Sequence, residues 1–190
     1  MEGVALLQRT VDATTRLVDG TKPEQLDDPT PCTEWTVRDL INHITGGATM
    51  FAVSAERGSV PDDMVGQLLG GDNLGDDFKG AWAVASKRAL AAYDQPGVME
   101  KLVKLPFAEL PAGVALNIAI FDVTTHACDL ARATGQDVGD DELLGAALEL
   151  GPHIVSPELR QGGFFKEEQT SSDSSTPADK LLAFAGRDIS

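Results

Sequence analysis

Val114–Ala133, VALNIAIFDVTTHACDLARA, is the stretch that most restricts what this chain can become. Before Asp122 only Asn117 interrupts its apolar and small residues, so most of it has to be buried. In a helix, side chains four residues apart stack on one face, one turn from each other, and Asp122 and His126 have that spacing. A buried carboxylate without a partner is costly, and a carboxylate and an imidazole so placed can grip one divalent cation. The chain has three histidines, and a second, His43, lies in another helical segment, VRDLINHITGG. Two helices supplying three nitrogen and oxygen ligands would make an open metal site, with His43, Asp122 and His126 as the candidate ligands.

The remaining segments predict a bundle. Val4, Leu7, Val11 and Leu17–Val18 keep helical spacing up to Gly20. TKPEQLDDPTPCTEW is a loop broken by Pro23, Pro29 and Pro31. Thr36 caps a second helix, with Asp39 completing a shortened capping box and Trp35 and Leu40 forming a hydrophobic staple. Gly58 ends that helix near Arg57. Residues 58–77, rich in Gly and Asp, read as a long surface connection. A third helix covers about Asp77–Tyr93, and VMEKLVKLPFAELPAG is an extended connection with room for a brief strand. The fourth helix runs from about Gly113 to Thr134 with Gly135 as its stop, and a fifth from about Asp140 to Val155. EEQTSSDSSTP is too polar to pack and is expected to be mobile, and PADKLLAFAGR follows as a short docking helix through Leu181, Leu182 and Phe184. The expected architecture is all-α: an antiparallel four-helix bundle over residues 1–160 and an irregular C-terminal tail with a short docking helix over 161–190.

The chain carries 30 acidic against 15 basic residues, a net charge of −15. That excludes nucleic acid and anionic membrane surfaces as partners, because both bind through Lys and Arg. No apolar run reaches about 18 residues free of charge, so no membrane span is expected. MEGVALLQRT does not resemble a signal peptide. Two cysteines, Cys32 and Cys128, are too few for a disulfide framework and read as small buried hydrophobes in a reduced, cytoplasmic protein. The GG pairs match neither a Walker loop nor a dinucleotide fingerprint, and no G-x-S-x-G or H-E-x-x-H occurs.

Helical phase places the candidate ligands relative to the core. At about 100° per residue, the apolar stripe of the fourth helix centres on Leu116, Ile120, Val123 and Leu130, with Asp122 roughly 120° and His126 roughly 80° away on one flank. In the second helix His43 lies roughly 120° from a stripe centred on Val37, Ile44 and Phe51. All three therefore sit on the shoulder of their helix. A metal site at the inner rim of a bundle needs that arrangement, and so do ordinary half-buried polar residues, with Asp122 and His126 then a hydrogen-bonded pair. Cys128, two residues past His126, points elsewhere and makes a poor fourth ligand. His153 reads as structural or exposed, and Glu34 and Asp39 as capping and helix-dipole residues.

TPCTEWTVRDLINHITGG, LPFAELPAGVALNIAIFDVTTHACDLARATGQ and the terminal LLAFAGRD, in this order, resemble the DinB-like metal-binding bundle superfamily. The likeness is strongest to the branch that contains the N-terminal domain of mycothiol-dependent maleylpyruvate isomerase. It implies a four-helix bundle with a divalent metal, zinc first and nickel second, held at one end by His43, Asp122 and His126. Three protein ligands leave a position for water or substrate. The resemblance further implies a low-molecular-weight thiol held as thiolate, a small electrophile as co-substrate, and pairing into a homodimer. At Asp122 the isomerase has the longer glutamate, which implies a shifted metal or a changed preference. The isomerase also has a second domain that contributes to catalysis, and none is read in this chain. The expectation is a metal-binding, thiol-dependent transferase or isomerase. The alternative is a non-enzymatic bundle that binds a ligand or another chain, with its metal structural or absent.

Overall fold

A computed structural model describes residues 3–189. Its four long helices are α1 (Gly3–Gly20), α2 (Val37–Arg57), α4 (Phe78–Tyr93) and α5 (Ala112–Thr134), separated by α3 (Asp62–Gly70) and a hairpin of β1 (Leu102–Leu105) and β2 (Ala108–Pro111). Then come α6 (Asp141–Ile154), α7 (Pro157–Gln161) and α8 (Pro177–Phe184). The four long helices close a ring, α1 against α4 and α5, α2 against the same two, with α1 and α2 on one diagonal. This is the four-helix bundle that the sequence predicts.

The helix ends are set where local chemistry sets them. The backbone N–H of Asp39 donates to Thr36 Oγ1 and that of Thr36 to Asp39 Oδ2, satisfying two donors that the first turn of α2 would otherwise leave bare. Gly58 (φ 79°) and Gly135 (φ 70°) end α2 and α5 in the left-handed conformation that a side chain disfavours. Leu116, Ile120 and Leu130 are fully buried, as their phase requires. By length and composition α5 could cross a membrane, but 78% of its apolar window is buried inside the bundle, which makes it the core helix.

Two segments differ from expectation. Residues 58–77 are not a bare connection: α3 folds there and packs on α2, closely enough that a Cβ on Gly46 would lie 2.1 Å from the carbonyl oxygen of Leu68. The extended segment before α5 is a complete hairpin, with Val103 and Leu105 turned into the core. Its outer neighbour is the Gly58–Val60 chain, which exchanges backbone hydrogen bonds with Lys104. α8 docks on α5 and α6 through Leu181 and Leu182, both buried.

Candidate metal centre

The loop before α2 is folded tightly onto itself. The N–H of Thr30 bonds the carbonyl of Trp35, that of Trp35 the carbonyl of Cys32, and those of Val37 and Arg38 reach back to Asp28 and Leu26. Glu34 sits in this turn at φ 77°, a conformation that costs a non-glycine residue about 1–2 kcal/mol. Thr36, and not Glu34, is the N-cap of α2, and Glu34 lines the cavity described below. The turn lays Trp35 over two imidazoles, its ring 4.6 Å from that of His43 and 5.5 Å from that of His126. Trp35 thus roofs the site, a role that the staple reading did not give it.

Behind Trp35, α2 and α5 bring the three candidate ligands together. Nε2 of His43 lies 3.5 Å from Asp122 Oδ2, and Nε2 of His126 lies 3.7 Å from Asp122 Oδ1. One ligand atom from each of the three residues lies within 4.8 Å of the others. His126 is buried and Asp122 half-buried, in the order their angles from the apolar stripe predict. Burial pushes the Asp122 carboxyl up, but the facing His43, with His126 and Arg187 beyond it, outweighs burial and holds it at about 2. Burial pulls His43 down, and Asp122 more than compensates, so its pKa rises.

The deepest part of the site was not anticipated. Asp129 is fully buried, with no exposed surface, and its Oδ2 accepts from His126 Nδ1 at 3.0 Å and from Arg187 Nη2 at 3.0 Å. Arg187 Nε donates to the other oxygen at 3.3 Å. Burial disfavours the Asp129 anion, but His126 and Arg187 overcome it and hold the carboxyl below its usual range. An ionised carboxylate can only accept, so Nδ1 of His126 carries a proton, and Nε2 is the nitrogen turned toward Asp122. A carboxylate behind a histidine in this manner fixes a metal-binding tautomer.

Arg187 arrives from the C-terminal segment. At the end of α8 the N–H of Arg187 bonds Leu182 O and that of Gly186 bonds Ala183 O, the paired bonds of a Schellman turn, with Gly186 at φ 82°. A Cβ on Gly186 would lie 2.6 Å from the carbonyl oxygen of Lys166, because a second backbone segment, Gly163–Lys166, passes directly over it. That segment is a strap. Arg160 holds the carbonyls of Lys166 and Phe184, and Lys166 Nζ donates to Thr33 Oγ1 at 2.6 Å, joining the strap to the Trp35 loop. Strap, loop and the faces of α2 and α5 enclose a cavity of about 510 Å3, with the His43–Asp122–His126 corner in its wall.

The cysteines divide. Cys128 is buried, and burial raises its pKa, as expected of a core residue. Cys32 is only half-buried and lines the cavity, its sulfur near His126 and Asp129. Burial pushes its thiol up against the pull of Arg187. His153 is exposed, away from the site.

A helical bundle with two histidines and a carboxylate converging on one cavity, and a second carboxylate buried behind them, defines a candidate metal-centre protein. More narrowly, the chain belongs to the family described as the mycothiol maleylpyruvate isomerase N-terminal domain, whose model matches residues 7–131. It is 35% identical to two proteins of Mycobacterium tuberculosis, uncharacterized proteins MT0763 and Rv0738, over the whole length of this chain and of each relative. Its fold is shared with the crystal structure of the mycothiol-dependent maleylpyruvate isomerase at a TM-score of 0.71 and 15% identity. A histidine-to-alanine mutant of that isomerase gives a TM-score of 0.72. The match spans 98% of this chain and 89% of the isomerase chain.

Proposed function

We propose that this protein binds a divalent metal through His43, Asp122 and His126 and uses it to pair a low-molecular-weight thiol with a small electrophile, as a transferase or isomerase. The observation that carries this reading is the orientation of His126: a buried Asp129 holds its Nδ1–H, so Nε2 is turned toward Asp122 and His43 inside a cavity of ligand size. Membership of the mycothiol maleylpyruvate isomerase family supports the thiol. The donor set of two imidazoles and one carboxylate fits zinc, with nickel as the second candidate. When bound, such a metal lowers the pKa of a ligated thiol toward neutrality and so supplies a thiolate.

The chain's own residues do the rest. Asp129 and Arg187 keep His126 in the ligating tautomer. Trp35 and the strap shield the corner from water, and Lys166 fixes the strap against the loop. A homodimer and a cytoplasmic location belong to the same reading.

The test is elemental analysis of the dialysed protein beside His126→Ala, followed by assay of both with thiol and electrophile. Near-stoichiometric metal in the wild type, lost together with thiol conjugation in the variant, is the expected result. Wild-type protein that takes up neither zinc nor nickel would sink this reading and leave a binding bundle.

A further inference from the structure

The cavity is aromatic in a chain that is not. Of ten aromatic residues, two Trp, one Tyr and seven Phe, four line this one cavity: Trp35, Phe121, Phe164 and Phe165. Phe121 and Phe165 lie 6.1 Å apart between ring centroids and form a wall, Phe165 half-buried from the strap and Phe121 buried from α5. Phe164, next along the strap, is 76% exposed, the most exposed large apolar residue among those described. The strap that carries it is not loosely placed: Arg160 and the Lys166–Thr33 bond fix the backbone on that side. An apolar ring held at the mouth of a cavity keeps water contact until something apolar covers it.

We infer that the electrophile taken here carries a flat apolar body, aromatic or similar in size, and that Phe164 is the residue that selects it. This rests on the metal-site reading above and names its substrate class. The head of the ligand lies at the His43–Asp122–His126 corner and its body runs along the Phe121–Phe165 wall to the mouth. There Phe164 covers it, gaining apolar contact on both sides and an offset or edge contact if the body is a ring. A small, wholly polar electrophile would leave the open part of Phe165 and Phe164 facing water and gain nothing from them.

Benzohydroxamate and acetohydroxamate share one chelating head and differ in a ring, so their affinities isolate the body. With metal-loaded protein and calorimetric titration, the wild type should prefer benzohydroxamate by about thirtyfold, the value expected when most of a phenyl ring leaves water. Phe164→Ala should cut that preference to about fivefold or less without changing acetohydroxamate affinity, and Phe164→Tyr, which keeps the ring, should retain it. Phe164 is exposed, so neither substitution removes core packing. Equal affinities for the two probes in the wild type, or an unchanged preference in Phe164→Ala, would overturn the inference and leave the metal site standing. Failure of both probes to bind metal-loaded protein would instead remove the open-site reading. If Phe164→Ala alters only self-association in sedimentation, the ring serves contact between copies and the inference falls.

Discussion

Replacing Asp129 by Asn tests the buried pair on which the site is built. Asn keeps the shape of the side chain but removes its charge. Asp129 has no exposed surface and the Arg187 side chain keeps only 10%, so the guanidinium would be left in a poorly hydrated place without its anion. Breaking such a pair costs roughly 3–5 kcal/mol, and Asn can still accept one of the hydrogen bonds, so about 3 kcal/mol is expected. For a chain of this size that is a fall in melting temperature of about 6–12 °C. Arg187→Met alone leaves the opposite orphan, an uncompensated Asp129 anion with only His126 to face. The double variant leaves neither, so it should be more stable than the sum of the two losses by at least about 1.5 kcal/mol. Denaturant titration of the four proteins without metal gives the cycle directly. Asp129→Asn should also weaken zinc uptake about 10–100-fold, because the His126 tautomer is no longer enforced. Additive losses, or an Asp129→Asn cost under about 1 kcal/mol, would refute the assignment of this pair as the site's structural anchor.

Two other perturbations follow from the same geometry. In the metal-free protein Asp122 and Asp129 are held below the usual carboxylate range, so the stability they contribute is present above about pH 4 and is lost as pH falls toward 2. The His43 pKa is raised, so its contribution is present below about pH 6.5 and lost as pH rises through the folded value. Denaturation midpoints without metal should therefore peak between about pH 4 and 6.5, and a steady rise from pH 5 to 8 would contradict the charge assignments. Gly186→Ala should cost about 2–4 kcal/mol, combining the left-handed backbone with the approach of the Lys166 carbonyl. It should lower metal uptake as well, because it moves Arg187; normal uptake in a destabilised protein would show that the strap and the turn are independent of the centre.

What could be read from the sequence was what depends on neighbours in the chain. Thr36 and Asp39 are three residues apart, Gly58 and Gly135 act on the helix just behind them, and Asp122 and His126 are a turn apart. For His43, helical phase allowed only a place on the shoulder of α2, and the family resemblance supplied its pairing with Asp122 and His126. α3 escaped because its nine residues hold two glycines and three of its apolar residues, Met64, Val65 and Leu69, stay partly exposed or open to solvent, so the pattern there looks like loop. Asp129 lay in plain view three residues after His126, but nothing local marks a carboxylate as buried. Its partner is 58 residues away, on a turn whose shape is decided by Gly186. The strap was invisible for the same reason: Gly163–Lys166 becomes a wall only because Lys166 reaches Thr33, 133 residues earlier.

The placement of Arg187 ties the centre to the most accessible stretch of the chain. Residues 167–174 are all exposed, and they separate the strap from α8. A protease that cuts there leaves α1 to α7 intact, while α8 stays on as a bound peptide that can dissociate, held by Leu181 and Leu182, the Arg187–Asp129 pair and the bond from Arg160 to the Phe184 carbonyl. Once it departs, Asp129 keeps its bond to His126 but loses its cation, while the bundle keeps its helices. On the metal-site reading, limited proteolysis would thus loosen the hold on a bound metal ahead of any loss of fold.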